Sequence, residues 1–212
     1  MDELLIERYA SEVSTPQDAL LEELERATFL RAVHPQMLSG HLQGKLLEML
    51  VRMIRPRSIL EIGTFTGYSA LCMAAGLDEN ATIDTIEADD ELQPLVQSFF
   101  DRSPHGAKIR LHIGSALDIA PKLGRTYDMV FIDGDKKEYP AYLEMIMAGL
   151  VHPGSWILAD NILWYGKAAE EPAAGDRQTK AIREFNHRVA DDTRLENVIV
   201  PVRDGLNLIR VK

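Results

Sequence analysis

From Ser58 onward, short apolar runs alternate with stretches of helix-forming residues, and this alternation narrows the fold more than any other feature. The runs are 58–62, 81–86, 109–113, 127–132 and 156–159. Several are apolar almost throughout, the pattern of strands covered on both faces. The connectors between them are about 15–25 residues long, enough for a helical crossover that returns a parallel strand. The chain ends differently. Residues 197–202 and 206–211 are two further β-type runs separated only by Arg203-Asp204-Gly205, an Asp-Gly turn signal for an antiparallel hairpin. The expected fold is α/β: a doubly wound, seven-stranded, mostly parallel sheet with a C-terminal antiparallel hairpin.

The first 55 residues read as helical. Thr15-Pro16-Gln17-Asp18 looks like an N-cap, a proline at the first helical position and an acid in the first turn, ahead of a helix over 19–31. A second helix is expected over 40–54, with Leu42, Leu46, Met49, Leu50 and Met53 as its apolar stripe, before Pro56 ends it. The 212 residues fit one domain, with 1–55 a helical extension and 56–212 the sheet. The least regular stretch, 165–176, follows the last parallel strand and is placed to form a loop over a site.

Cys72 is the only cysteine, so neither an internal disulfide nor a cysteine-based metal cage is available. No apolar run approaches the ~18–20 residues of a membrane span. Asp2 and Glu3 stand where a secretory signal would be basic, and a cytoplasmic location is expected. The net charge of −10 disfavours nucleic acid as a partner. Residues 1–25 hold eight acids and one base, so most of that charge lies away from the sheet.

Two sets of residues carry candidate chemistry. The first is Leu60-Glu61-Ile62-Gly63-Thr64-Phe65-Thr66-Gly67-Tyr68-Ser69, a strand running through glycines into a helix. In parallel sheets ligands bind beyond the carboxyl ends of strands, near the switch point. The spacing G-x-x-x-G lacks the pyrophosphate-binding G-x-G-x-x-G. Glu87, at the end of the next strand, suits a ribose diol. The turn is either a nucleoside-cofactor site or a plain structural turn beside a surface acid. The second set is Asp133-Gly134-Asp135-Lys136 and Asp160-Asn161, both at strand ends. Asp133, Asp160 and Asn161 either cap the following helices or converge as hard oxygen ligands for Mg²⁺ or Ca²⁺.

These motifs, with Asp160-Asn161-Ile162-Leu163-Trp164-Tyr165-Gly166 and the closing Asp204-Gly205-Leu206, resemble those of the metal-dependent S-adenosylmethionine (SAM) O-methyltransferases, the family of catechol and caffeoyl-CoA O-methyltransferases. The resemblance runs from about Met37 to the C-terminus. It implies a class I, Rossmann-like methyltransferase fold with added N-terminal helices. It further implies SAM as cofactor, contacted by Ser39, Glu61, Gly63 and Ser69 at its methionine end, Glu87 at its ribose, Ala116 at its adenine and Asp135 at its amino group. It implies metal ligation by Asp133, Asp160 and Asn161, with Mg²⁺ first and Ca²⁺ or Mn²⁺ as alternatives. Lys136 would be the catalytic lysine, with Asp133 beside it, and Trp164 and Tyr165 would shape the acceptor pocket. The partners implied are a small phenolic substrate and a second copy of the chain, with no nucleic acid and no membrane.

The sequence departs from the family in one respect. Some members carry an acid on the strand before the final Asp-Gly turn, whereas 197–202 has none. The expected reaction is methyl transfer to one hydroxyl of a vicinal diphenol, with Lys136 acting as base or as phenolate stabiliser. Two other functions compete: a nicotinamide-dependent Rossmann oxidoreductase, which the missing G-x-G-x-x-G opposes, and a non-catalytic SAM-binding protein. Cys72 is expected to be a buried small hydrophobe, and Ile182, Phe185 and Val189 the core face of a helix.

Overall fold

The computed structural model describes residues 3–212; Asp2, one of the acids counted in the N-terminal charge, lies outside them. The elements are α1 (Glu3–Val13), α2 (Ala19–Arg31), α3 (Gly40–Ile54), β1 (Ser58–Ile62), α4 (Tyr68–Gly76), β2 (Thr82–Glu87), α5 (Gln93–Arg102), β3 (Ile109–Ile113), α6 (Ala116–Ile119), β4 (Tyr127–Ile132), α7 (Tyr139–Met147), β5 (Val151–Asp160), α8 (Arg177–Asp191), β6 (Leu195–Val200) and β7 (Leu206–Val211). They form one seven-stranded sheet in the order β3-β2-β1-β4-β5-β7-β6. Only β7 runs against its neighbours. The chain works outward from β1 to β3, then returns to add β4 and β5 on the other side, so the switch point lies between β1 and β4. Among the described residues no helix is long and apolar enough to cross a membrane.

Strand alternation divides the core into two layers. Ile59, Met129, Phe131 and Leu158 face one way and pack with Leu47, Val51 and Met73 of α3 and α4. Leu60, Ile62, Val130, Ile132 and Ile157 face the other way and pack with Tyr142, Ile146, Ile182, Phe185 and Val189 of α7 and α8. Phe185 is fully buried and meets Tyr139 edge-on, with ring centroids 5.4 Å apart. Phe185→Ala is expected to cost about 3–5 kcal/mol of stability, read by denaturant unfolding. A loss below 1 kcal/mol would contradict this packing.

Four local readings need correction. The buried face of α3 is Gln43, Gly44, Leu47 and Val51, whereas Met49 and Met53 of the expected stripe are exposed. Glycine sets this face. A Cβ at Gly44 would lie 2.7 Å from both Cys72 Sγ and Tyr68 Cε1, so α3 and α4 approach through Gly44 and not through the larger leucines. The cap of α2 is Asp18, whose carboxylate accepts the Leu21 N–H at 2.9 Å, and not Thr15. Gln17 instead bridges Tyr68 and Glu25, which keeps the segment before the helix extended. β5 begins at Val151, five residues earlier than expected, because Pro153 and Gly154 sit at a register shift against β4 and do not end the strand. β6 spans Leu195–Val200, so the hairpin connection is 201–205, longer than the expected turn.

The apolar runs also hide charged residues. Asp84 is buried in β2 and is compensated there by hydrogen bonds from His112 at 2.9 Å, Arg125 at 3.2 Å and the Tyr127 hydroxyl at 3.2 Å.

Candidate active site

The carboxyl ends of β1, β2, β4 and β5 lie along one edge of the sheet and supply most of the candidate residues. Gly63 leaves β1 with φ +96°, and its N–H donates to the Ile86 carbonyl at 3.0 Å. A Cβ there would drive into the backbone of Asp133, so glycine permits the ends of β1 and β4 to close together. Gly63→Ala is expected to weaken SAM binding about tenfold or more, because strain of ~1–3 kcal/mol is forced on this turn. Unchanged affinity by calorimetry would remove the turn from the site.

Glu61 points from β1 toward α4 and is fully buried. Its carboxyl oxygens accept from the Ser69 hydroxyl at 2.6 Å and the Thr85 hydroxyl at 2.5 Å. Burial pushes its pKa up to about 8, against the lowering effect of these two hydrogen bonds. No basic side chain is among these partners, so a bound cationic group would favour its charged form. Glu87 ends β2, and its carboxylate accepts the Phe65 N–H at 2.6 Å and the Asp89 N–H at 2.9 Å. Burial raises its pKa and these amides oppose the rise. Glu87 thus also staples the glycine turn, holding Phe65 at φ +49°. The Glu87 carbonyl accepts the Gly114 N–H at 2.7 Å, which brings the segment leading to buried Ala116 beside the end of β2.

Ser39 precedes α3 and is buried; its carbonyl oxygen accepts from Arg203 of the hairpin loop. A cavity of about 380 Å³ opens beside Ser39, with Phe29, Leu38, His41 and Arg203 among its lining residues.

The second set gathers around Tyr139. Lys136 Nζ donates to Asp133 Oδ1 at 2.7 Å and to the Tyr139 hydroxyl at 2.7 Å. The Tyr139 oxygen also lies 2.9 Å from the Asp160 carbonyl and 3.2 Å from the Ile132 carbonyl, so its proton bridges the ends of β4 and β5. Asp160 is buried. Its Oδ1 accepts the Asn161 N–H at 2.8 Å and its Oδ2 accepts Gln43 Nε2 at 2.5 Å. Asn161 adopts φ +56°. Burial raises the pKa of Asp133; the charge of Asp160 adds to the rise, and Lys136 opposes it. Asp135 is exposed and caps the short turn at Lys136, accepting the Lys137 N–H at 3.0 Å.

Trp164, Tyr165 and Gly166 follow β5, all with positive φ. Strain of this kind collects at functional sites. Trp164 packs on the core and lies 5.4 Å from the Tyr165 ring, which is 77% exposed. The Tyr165 N–H donates to Asp204 at 2.6 Å, tying this segment to the hairpin loop.

Asp133 lies close enough to Asp160 for the charge of one to act on the other, and two carboxylates followed in the chain by a carboxamide are the hard-oxygen donor types that fit a divalent cation such as Mg²⁺. Among the described residues no cluster of three or more His, Cys, Asp or Glu is placed to hold a metal. A site here therefore depends on the Asn161 amide oxygen and on water or substrate to complete it. Three residues at this edge escape sequence reasoning: Gln43, Tyr139 and Arg203. Tyr139 follows Lys136 by one helical turn, and that spacing was its only local signal.

Comparison with known proteins places the chain among O-methyltransferases. The chain is 34% identical over 179 residues to a catechol O-methyltransferase of Niastella koreensis, covering 80% of each. It is 31% identical to a caffeoyl-CoA O-methyltransferase of Nicotiana tabacum, covering 90% of this chain and 83% of that protein. An O-methyltransferase from Bacillus cereus, solved in complex with SAH, superposes with a TM-score of 0.88 at 30% identity, covering 98% and 97% of the two chains. TomG from Streptomyces achromogenes, solved in complex with SAM, gives 0.91 at 27% identity over 100% and 99%. The O-methyltransferase family profile matches residues 11–212, and the chain belongs to that family.

Proposed function

We propose that the protein transfers a methyl group from SAM to one hydroxyl of a vicinal diphenol, with a divalent cation, Mg²⁺, held at the ends of β4 and β5. The observation that carries this reading is the position of Lys136. Its Nζ is fixed by Asp133 and Tyr139, at 2.7 Å each, which leaves one of its three donor directions for an acceptor oxygen. The neighbours with bound SAH and SAM, and the relatives named for catechol and caffeoyl-CoA, support the cofactor and the substrate class.

In this reading Glu61, Gly63, Ser69 and Ser39 receive the methionine end of SAM. Glu87 takes the ribose hydroxyls, Ala116 lies at the adenine, and Asp135 receives the amino group. Asp133, Asp160 and Asn161 would hold the cation, which when bound would lower the pKa of an acceptor hydroxyl. A free phenol, with a pKa near ~10, is a weak nucleophile at neutral pH. Lys136 acts at the acceptor oxygen in one of two ways: as a neutral amine it takes the phenol proton, or as the ammonium it stabilises the phenolate while water takes the proton. The methyl carbon is attacked in line from roughly 3–3.5 Å. A sulfonium and a phenolate become a neutral thioether and a neutral ether, so a site that excludes water favours the step. Trp164 and Tyr165 bound the acceptor.

A labelled-methyl assay on paired acceptors tests the substrate class. Vicinal diphenols, both free acids and CoA thioesters, are expected to accept methyl, and phenols with a single hydroxyl are not. Equal labelling of the two classes would contradict the proposal.

A further inference from the structure

We propose that Gln43 is a positioning residue for Asp160, set in place by Arg203, and that through it the hairpin loop holds the Asp160 carboxylate in the geometry that receives the divalent cation. The proposal rests on the reading of Asp160 as a ligand. Gln43 lies in the first turn of α3 and is only 2% exposed. Burying an amide in a helix face that otherwise packs on the core is unfavourable unless both of its ends are bonded. Both are. Nε2 donates to Asp160 Oδ2 at 2.5 Å, and Oε1 accepts from Arg203 Nη1 at 3.3 Å.

These partners allow one orientation of the amide. Turned over, it would set its oxygen against a carboxylate and its NH₂ against a guanidinium. Arg203 is anchored in turn by the carbonyl oxygens of Leu38, at 3.0 Å, and Ser39. The backbone ahead of α3 therefore fixes Arg203, Arg203 orients Gln43, and Gln43 orients Asp160.

The chemistry of the donor matters. Asp133 shares its charge with the Lys136 ammonium. Asp160 accepts from two neutral groups, the Gln43 amide and the Asn161 N–H. Each Asp160 oxygen is held by one hydrogen bond and keeps a lone pair, and no cation cancels its charge through these bonds. A carboxylate pinned in this way is pre-organised for a metal ion. Arg203 precedes Asp204, which accepts the Tyr165 N–H. One loop thus meets the cofactor side at Ser39, the carboxylate through Gln43 and the acceptor side at Tyr165.

The test is calorimetric titration of Mn²⁺ alone, and separately of SAM, into the full chain and its variants. Gln43→Met replaces the amide with an apolar side chain of similar length. It is expected to weaken Mn²⁺ about tenfold or more, with SAM affinity unchanged. Arg203→Met is expected to weaken Mn²⁺ by less, and to add nothing when combined with Gln43→Met, because the two act in series. Gln43→Leu, read in the same way, replaces Gln43→Met if that variant does not fold. Wild-type Mn²⁺ affinity in the Gln43 variant overturns the proposal. So do fully additive effects, and so does an equal loss of SAM affinity, which marks a packing role. A wild-type chain that binds no Mn²⁺ overturns the metal reading itself, and this inference with it.

Discussion

A Lys136→Met variant is expected to lose about 10²–10⁴-fold in kcat, the usual contribution of a positioned acid–base group, while binding SAM as the wild type does. The geometry requires this separation. Lys136 Nζ touches Asp133 and Tyr139, whereas the residues assigned to the cofactor lie at the ends of β1 and β2, before α3 and at the starts of α4 and α6, with only Asp135 next to Lys136 in the chain and its carboxylate turned to the Lys137 N–H. Methionine keeps the apolar stem against its surroundings and removes only the ammonium, so the fold should survive. Stopped-time assays at saturating SAM and acceptor give kcat, and calorimetry gives SAM affinity. A kcat within threefold of wild type would show that Lys136 is a structural ion-pair partner of Asp133 and nothing more.

Asp160→Ala is expected to have a loss of comparable size, by a different route. Removing the carboxylate takes away a proposed ligand and leaves Gln43 Nε2 and the Asn161 N–H without their acceptor. Changes in groups that merely orient ligands already cost 10–100-fold in metal affinity or activity, so loss of a ligand is expected to exceed about 10²-fold in kcat/KM for the acceptor. SAM affinity measured without metal should change little. The two variants differ in their response to added Mg²⁺. High concentrations should recover part of the Asp160→Ala activity and none of the Lys136→Met activity. Normal turnover in Asp160→Ala would break the ligand assignment.

The sheet was legible in the sequence because its signal is local. Strands buried on both faces must be apolar along their length, and 127–132 announces itself on that ground alone. The glycine turn was legible for a similar reason, since Gly63 answers a demand for positive φ and close approach at one position. Where the structure departs from the local pattern, a neighbour distant in sequence decides the outcome. The large apolar residues of α3 suggest one contact face, but Gly44 sets another by admitting Tyr68 and Cys72. Thr15 had the chemistry of a cap, but Gln17 was drawn toward Tyr68, 51 positions away, and Asp18 took the role.

The site shows the same division. Asp133, Lys136, Asp160 and Asn161 sit in short motifs at strand ends, where topology brings them to one edge. Gln43 lies 117 positions from Asp160 and 160 from Arg203, and a lone glutamine in a helix carries no pattern that links it to either. Tyr139 is invisible for a related reason. Its function depends on the Asp160 carbonyl 21 positions later, a backbone group that any residue would supply.

Chelation of the working enzyme tests the central claim most directly. With labelled SAM and a vicinal diphenol, methyl transfer is expected to fall to background once EDTA has removed divalent ions, and to return on adding Mg²⁺ in excess of the chelator. Full methyl transfer by protein whose metal removal has been verified by elemental analysis would contradict a divalent ion at Asp133, Asp160 and Asn161.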